Sequence, residues 1–241
     1  ECIQIKTIPD DMSKYYPNNY YSLSQRDESI NICRKIMLKE LFKYRMNRYN
    51  LIGLIMYNLI PDYPYNWIKK GLLNFHSKIL DVGCGSGERL LKMKLCGFDN
   101  VLGIDPFIEK DIHYKCGLNI LKKDINELTN KFDFIMMHHS LEHIADQEKC
   151  LLSLKNILTE DGTILIRIPV CNGLSWQLYK QYSFTLDSPR HFYLHSYKSM
   201  LQLAKQNGFE VYCYYPDPGF FDIWQSETYR EKYDDQYQTI K

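Results

Sequence analysis

At 241 residues the chain is long enough for one α/β domain with its own core and a small cap. Thirty basic residues stand against 29 acidic ones, a net charge of +1, and no lysine or arginine stripe gives the footprint that polymeric nucleic acid needs. Eight cysteines without a CxxC pair suit a reducing compartment, no signal-peptide pattern is read, and the most apolar run, residues 51–60, is about half a membrane span. A soluble cytoplasmic protein is expected. The chain opens on Glu1 rather than on methionine, and whether it is truncated at either end stays open.

Residues 1–21 carry Pro and Asn and read as irregular. Across residues 27–49 Ile32, Ile36, Met37, Leu41 and Tyr44 recur at helical spacing, and a turn follows at "IPDYPY". After Gly71 strands and helices alternate. "KILDVG" is a strand, residues 88–96 a helix closed by Gly97, "NVLGID" a second strand, "LNILKKD" a third and "FDFIMMHH" a fourth. Asp146 caps a helix with Leu151, Leu154, Ile157 and Leu158 on one face, "EDG" turns, and "TILIRIPV" is a fifth strand, apolar on both faces. Ser196 caps a helix through Met200, Leu203 and Ala204 that Gly208 stops, with "FEVYCYY" beyond it. The expected organisation is an N-terminal segment, residues 1–70, and an α/β domain, residues 71–241, with a cap insertion at about 170–195. Such alternation implies a parallel sheet with helices on both faces, whose ligands bind beyond the carboxyl ends of the strands. That rim receives the glycine loop, Asp105, Asp124, His138 and His139.

The loop is "DVGCGSGE". Gly83, Gly85 and Gly87 spell GxGxG, and the sixth position of a dinucleotide fingerprint is Glu88, which would repel a pyrophosphate. Asp81 before the loop suits a ligand with a cationic end. S-adenosylmethionine has an ammonium, a sulfonium and no phosphate. Asp105 would accept its ribose hydroxyls and Asp124 its adenine amino group, with Cys84, Pro106, Ile125 and His138 completing the cofactor contacts. A plain tight turn is the bland alternative, weakened by three acids each at a strand end.

"DVGCGSG", "GIDP", "KKDI" and "FDFIMMHHSLEHIAD" closely resemble the successive motifs of class I S-adenosylmethionine-dependent methyltransferases. "DSPRHFYLHSYKSMLQLAKQNGFEV" and "KYYPNNYYS" are similar to the small-molecule branch found in sugar and surface-polysaccharide clusters. The resemblance covers residues 15–209. It implies a Rossmann-like, doubly wound, mostly parallel seven-stranded sheet with helices on both faces and a small aromatic cap. No seventh, antiparallel strand is readable after Tyr215, and the chain is expected to stop before it. A cysteine-rich knuckle usual ahead of "YYP" is reduced here to Cys2, so a zinc module is absent or cut off.

Methyl transfer to a hydroxyl requires alignment, exclusion of water and removal of a proton. Five of the seven histidines fall in "HHSLEH" and "PRHFYLH". His139 is the first candidate base and His191 the second; Glu142 and His143 read as structural supports of the turn. Arg190 could fork onto an acidic acceptor. Metal ligation by His139 and His143, with His191 or His195 as a third ligand, is set aside because no matching carboxylate-rich set appears. The "DPPY" type of motif for nucleic-acid amines is missing from the fourth strand. "CNGLSWQLYKQYSFTLDSPRHFYLH" reads as a lid in which Trp176 and Tyr179 face a sugar ring, or as a packed cap, and "YYPNNYYS" as a second flap. The expected acceptor is a sugar or nucleotide-sugar, with no nucleic acid and no membrane span. A nicotinamide-dependent oxidoreductase and a non-catalytic cofactor-binding scaffold are the competing readings. Acceptor identity, O-, N- or C-methylation and oligomeric state stay open.

Overall fold

The computed structural model describes residues 2–15, 27–46, 48–59, 65, 67–68, 73–214 and 220–239. Most of "YYPNNYYS" and of "IPDYPY" lies outside them. In chain order the elements are β1 (Cys2–Gln4), α1 (Ile32–Arg45), α2 (Leu51–Leu59), β2 (Ile79–Val82), α3 (Glu88–Leu95), β3 (Val101–Ile104), β4 (Ile112–His113) and β5 (Asn119–Leu121). There follow β6 (Phe132–His138), α4 (Gln147–Ile157), β7 (Leu158–Arg167), α5 (Leu174–Tyr179), β8 (Tyr193–His195), α6 (Tyr197–Gln206) and α7 (Phe220–Thr239). The chain divides into two compact units, residues 17–138 with 153–166, and residues 1–16 with 139–152 and 167–241.

The first unit holds a six-stranded sheet in the order β4-β5-β3-β2-β6-β7. β2 is central, parallel to β3 through Ile79↔Val101 and to β6 through Ile79↔Phe134, and all four of its residues are buried. That burial explains why "ILDV" reads as a short apolar run without alternation. β4 runs antiparallel to β5 at the sheet's edge. α3 links β2 to β3 and buries Leu90, Leu91 and Met93, while Glu88 pairs with Lys92 on the outer face at 2.6 Å. α4 links β6 to β7, with Asp146 accepting from Lys149 N at 3.0 Å as its cap. The other two crossovers carry no α-helix: β4 lies between β3 and β5, and a 3-10 turn, Ile125–Glu127, lies between β5 and β6.

α1 differs from its sequence reading in two ways. Asn31 Oδ1 accepts from Cys33 N at 2.9 Å and Arg34 N at 3.4 Å, so the helix starts at Ile32; Asp27 instead closes a turn onto Ser29 N at 2.9 Å. The buried face is Leu38, Leu41 and Phe42, whereas Ile32 and Ile36 are 65% and 50% exposed. Phe42 sets its ring edge-on to Tyr65 and Phe98, and with Leu38 it belongs to one core with Ile79, Leu90 and Phe134. α1 therefore packs as part of the sheet's unit.

In the second unit β1 pairs antiparallel with β8, Cys2 opposite His195 and Gln4 opposite Tyr193. Residues 2–4 are thus a strand rather than irregular chain; three residues are too few to show a period, and the partner is far away in sequence. α6 begins where Ser196 accepts from Ser199 N at 3.2 Å and Ser199 Oγ accepts from Ser196 N at 3.0 Å. Residues 209–214 form no strand. The cap region is α5, two 3-10 turns (Lys180–Tyr182 and Phe184–Leu186) and β8. Buried hydroxyls tie it to α7: Ser226 Oγ lies 3.1 Å from Ser175 Oγ and accepts from Phe184 N at 2.8 Å. Among the described residues, no helix is long and apolar enough to cross a membrane.

Candidate cofactor site and histidine cluster

The chain leaves β2 through three left-handed glycines, Gly83 (φ 72°), Gly85 (φ 57°) and Gly87 (φ 79°), before entering α3. A side chain at any of them would force a Cβ into a disfavoured backbone region. The loop is fastened to the end of β3: Gly83 N donates to Ile104 O at 2.9 Å, and Gly85 N to Asp105 Oδ2 at 2.8 Å. Gly103, inside β3, makes room for it. A Cβ there would lie 2.5 Å from Cys84 Sγ and 2.6 Å from Ile120 Cδ1. Tyr114 adds a bond from its hydroxyl to Ser86 O at 2.8 Å.

Asp81 is 1% exposed, and neither carboxylate oxygen has a hydrogen-bond partner. Burial pushes its carboxyl up to about 7, the Arg89 guanidinium 3.7 Å away opposes that rise, and Asp105 adds to it. Asp105 is also buried; burial raises its carboxyl against the bonds that its two oxygens accept from Phe107 N and Gly85 N, each 2.8 Å. Each oxygen keeps a second lone pair for a ligand hydroxyl. The Cys84 thiol is pushed well up by burial and by Asp81 and Asp105, so it stays protonated. Asp124 is exposed and caps the turn at Ile125 by accepting from Asn126 N at 2.9 Å, with Ile125 buried behind it. Pro106 is exposed. His138 is buried beneath the Trp67 ring at 5.4 Å.

This arrangement fits S-adenosylmethionine. A buried carboxylate without a donor calls for one, and an ammonium supplies it; a phosphate would meet Asp81 and Asp105, whereas Glu88, paired with Lys92 on the outer face, does not take the repelling place expected of it. Asp81, Asp105 and the glycine turn would hold the cofactor, which brings an electrophilic methyl group.

In the other unit, the turn after β6 begins at His139, whose left-handed backbone (φ 54°) is held by His139 N donating to Arg167 O at 2.8 Å. Its side chain is 48% exposed, with Nδ1 3.5 Å from Glu142 Oε1. Glu142 is 1% exposed. Burial opposes its charge, but the hydrogen bond and charge of His139, with His191 and His143 nearby, win and hold it below the usual carboxylate range. His143 Nδ1 donates to Arg190 O at 2.9 Å, and its ring meets that of His191 edge-on at 4.7 Å. Burial lowers the His143 imidazolium's stability, against Glu142's pull. His191 Nδ1 donates to Thr185 O at 2.8 Å. His195 is elsewhere, bonded through Nε2 to Gln147 Oε1 at 2.7 Å.

His139, Glu142, His143 and His191 are therefore brought together. Arg190 is already in an ion pair with Asp187 at 2.7 Å, so an acidic acceptor would have to compete with that carboxylate. Trp176 and Tyr179 lie on α5. Lys180 Nζ stands 6.0 Å from the Trp176 ring, and Arg230 Cζ on α7 stands 5.9 Å from the Tyr179 ring. A hydrogen bond with Glu227 raises the Tyr179 phenol. The sequence reading missed Gly103, Arg89 and Asp187. Glycine inside an apolar strand was a signal for the first, and the three-residue spacing of Asp187 and Arg190 was one for the last.

A mostly parallel sheet whose central strand ends in a left-handed glycine turn over two buried carboxylates defines an α/β domain of Rossmann-like type. The family model described as "Methyltransferase domain" matches residues 40–214, and the chain belongs to that family. S-adenosylmethionine is the cofactor of this methyltransferase domain, which sets the nicotinamide reading aside. Over 149 residues the chain is 28% identical to the tRNA U34 carboxymethyltransferase of Histophilus somni (strain 2336), covering 56% of this chain and 46% of that protein. Over 143 residues it is 30% identical to the mitochondrial ubiquinone biosynthesis O-methyltransferase of Homo sapiens, covering 53% and 37%. The chain spans about half the length, or less, of these curated relatives. The structure of the cyclopropane synthase MmaA2 from Mycobacterium tuberculosis shares the fold, with a TM-score of 0.50 at 13% identity over 84% of this chain and 82% of that one.

Proposed function

We propose that the protein transfers a methyl group from S-adenosylmethionine to a hydroxyl of a small acceptor, a sugar or sugar-linked metabolite. The observation that carries this reading is His139, half exposed on the turn that directly follows β6 and within 3.5 Å of a buried anionic carboxylate. The bound cofactor supplies a methyl group already activated as a sulfonium. The chain's part is to hold it, align the acceptor and take a proton. Asp81 accepts from the ammonium, and Asp105 from the ribose hydroxyls through the lone pairs that Gly85 and Phe107 leave. Gly83, Cys84, Gly85 and Gly87 bring the ligand against the backbone. Pro106, Asp124, Ile125 and His138 serve the adenosine end. His139 takes the hydroxyl proton, and Glu142 stabilises the imidazolium so formed; His191 is the alternative base. Trp176 and Tyr179 offer aromatic faces to a sugar, and Arg190 offers its fork to an acidic group.

A net charge of +1 without a basic stripe favours a small acceptor. A tRNA acceptor is the second reading, favoured by the tRNA substrate of the Histophilus relative's name. His139→Ala should lose about 10²–10⁴-fold in turnover with affinity for S-adenosylhomocysteine unchanged by calorimetry. A loss below tenfold removes His139 as the base. A large loss in His191→Ala alone moves that role to His191.

A further inference from the structure

Support of the His139 imidazolium does not account for the two further imidazoles gathered at Glu142. The carboxylate is 1% exposed, and beyond the 3.5 Å approach of His139 Nδ1 neither oxygen has a hydrogen-bond partner among the described residues. A carboxylate in that position needs a cation or donors close by. Its neighbours are imidazoles, and two of them are fixed in orientation. His143 and His191 each direct Nδ1 at a backbone carbonyl, Arg190 O at 2.9 Å and Thr185 O at 2.8 Å. A carbonyl oxygen can only accept, so Nδ1 bears the proton in both rings, and in the neutral tautomer Nε2 carries the lone pair. For His191 that lone pair lies 4.0 Å from Glu142 Oε1 and 3.7 Å from Asp187 Oδ2, acceptors facing an acceptor. Converging lone pairs are satisfied by a cation, either extra protons on the rings or a metal ion.

Two observations favour the metal. One ligand atom from each of Glu142, His143 and His191 lies within 4.8 Å of the other two. The Nδ1–H to carbonyl bonds are those that orient metal-bound histidines and present Nε2 to the ion. We propose that Glu142, His143 and His191 form a binding site for a divalent transition metal, with zinc the ion best suited to the donor set. Two imidazole nitrogens and one carboxylate oxygen match zinc and its neighbours, whereas magnesium and calcium take oxygen donors. Three protein ligands leave a position for water or an oxygen ligand, the composition of catalytic rather than structural zinc sites. His139, 3.5 Å from Glu142, stands beside this set and outside it. The inference goes beyond methyl transfer and does not depend on it.

The test is cobalt(II) titration of the whole chain after chelator treatment, read by visible d–d absorption. One cobalt per chain is expected, displaced by zinc and not by magnesium. His191→Ala should weaken binding by about a hundredfold or more, beyond the usual effect of losing an outer-shell partner. A thermal melt of the same samples shows whether the variant is folded, and Glu142→Gln is a second route to the same loss. Failure of the unsubstituted chain to take up metal overturns the proposal, whatever the variants do, and leaves ring protons as Glu142's counter-charge. Uptake that survives in folded His191→Ala puts the metal elsewhere and overturns it too.

Discussion

Replacing Asp81 with Asn tests the cofactor site through its electrostatics. The carboxyl lies at about 7 rather than at its ordinary 3.8, chiefly because it is buried. At about 1.4 kcal/mol per pH unit, holding it ionised costs the cofactor-free domain about 4 kcal/mol. The sign follows from proton counting. Between pH 3.8 and about 7 the folded chain keeps a proton on Asp81 that the unfolded chain has released, so this group's contribution to stability falls as pH rises through that window. Below 3.8 both states are protonated, and above about 7 both are ionised, so the contribution is flat at each end. Asp81→Asn removes the titration and should stabilise the cofactor-free protein at pH 8, by less than the full 4 kcal/mol. The amide still lacks donors, and Arg89 loses its 3.7 Å partner, so a gain of about 1–3 kcal/mol is expected. Urea unfolding at steps from pH 5 to 8 measures this, with wild type and variant drawing apart as pH rises. The same variant should bind S-adenosylhomocysteine less tightly. Parallel pH profiles with undiminished ligand affinity would refute the reasoning, because Asp81 would then be neither strained by burial nor used by the ligand.

Gly103→Ala should lower stability by about 1–3 kcal/mol and weaken S-adenosylhomocysteine binding, since the new methyl meets Cys84 Sγ at 2.5 Å; melting and calorimetry check both. His139→Gly should lose about 10²–10⁴-fold in turnover, as His139→Ala does, yet exceed His139→Ala in stability by about 1 kcal/mol in thermal unfolding, because both lack the imidazole and glycine alone relieves the left-handed backbone at φ 54°. Ser226→Ala should destabilise by about 1–3 kcal/mol in urea unfolding, as Phe184 N and Ser175 Oγ lose their shared partner.

What could be read from the sequence follows the range of the forces involved. β2, the glycine turn and α3 were legible because a buried strand, φ-permissive residues and an amphipathic helix are written in consecutive residues. Asp146 and Ser196 were found as caps for the same reason. α1 was legible as a helix, but its face only in part: Leu41 of the expected set is buried, whereas Ile32, Ile36 and Met37 keep helical spacing yet stay exposed, and tertiary packing chose Leu38 and Phe42 beside Leu41. β1 is too short for any period and exists through pairing with β8. "HHSLEH" and "PRHFYLH" were visible as two runs. Their meeting, which sets His191 beside His143 and both near Glu142, comes from a turn and a loop far apart in sequence. The burial of Glu142 beside His139 had no sequence signal.

The central claim is methyl transfer to a small hydroxyl acceptor, and mass spectrometry of products tests it most directly. The chain is incubated with S-adenosylmethionine carrying a labelled methyl, once with a panel of nucleotide-sugars and free sugars and once with bulk tRNA. The account predicts a labelled methyl ether on a sugar hydroxyl, formed with stoichiometric S-adenosylhomocysteine and lost in His139→Ala. Label found in tRNA, with none on any sugar, would contradict it.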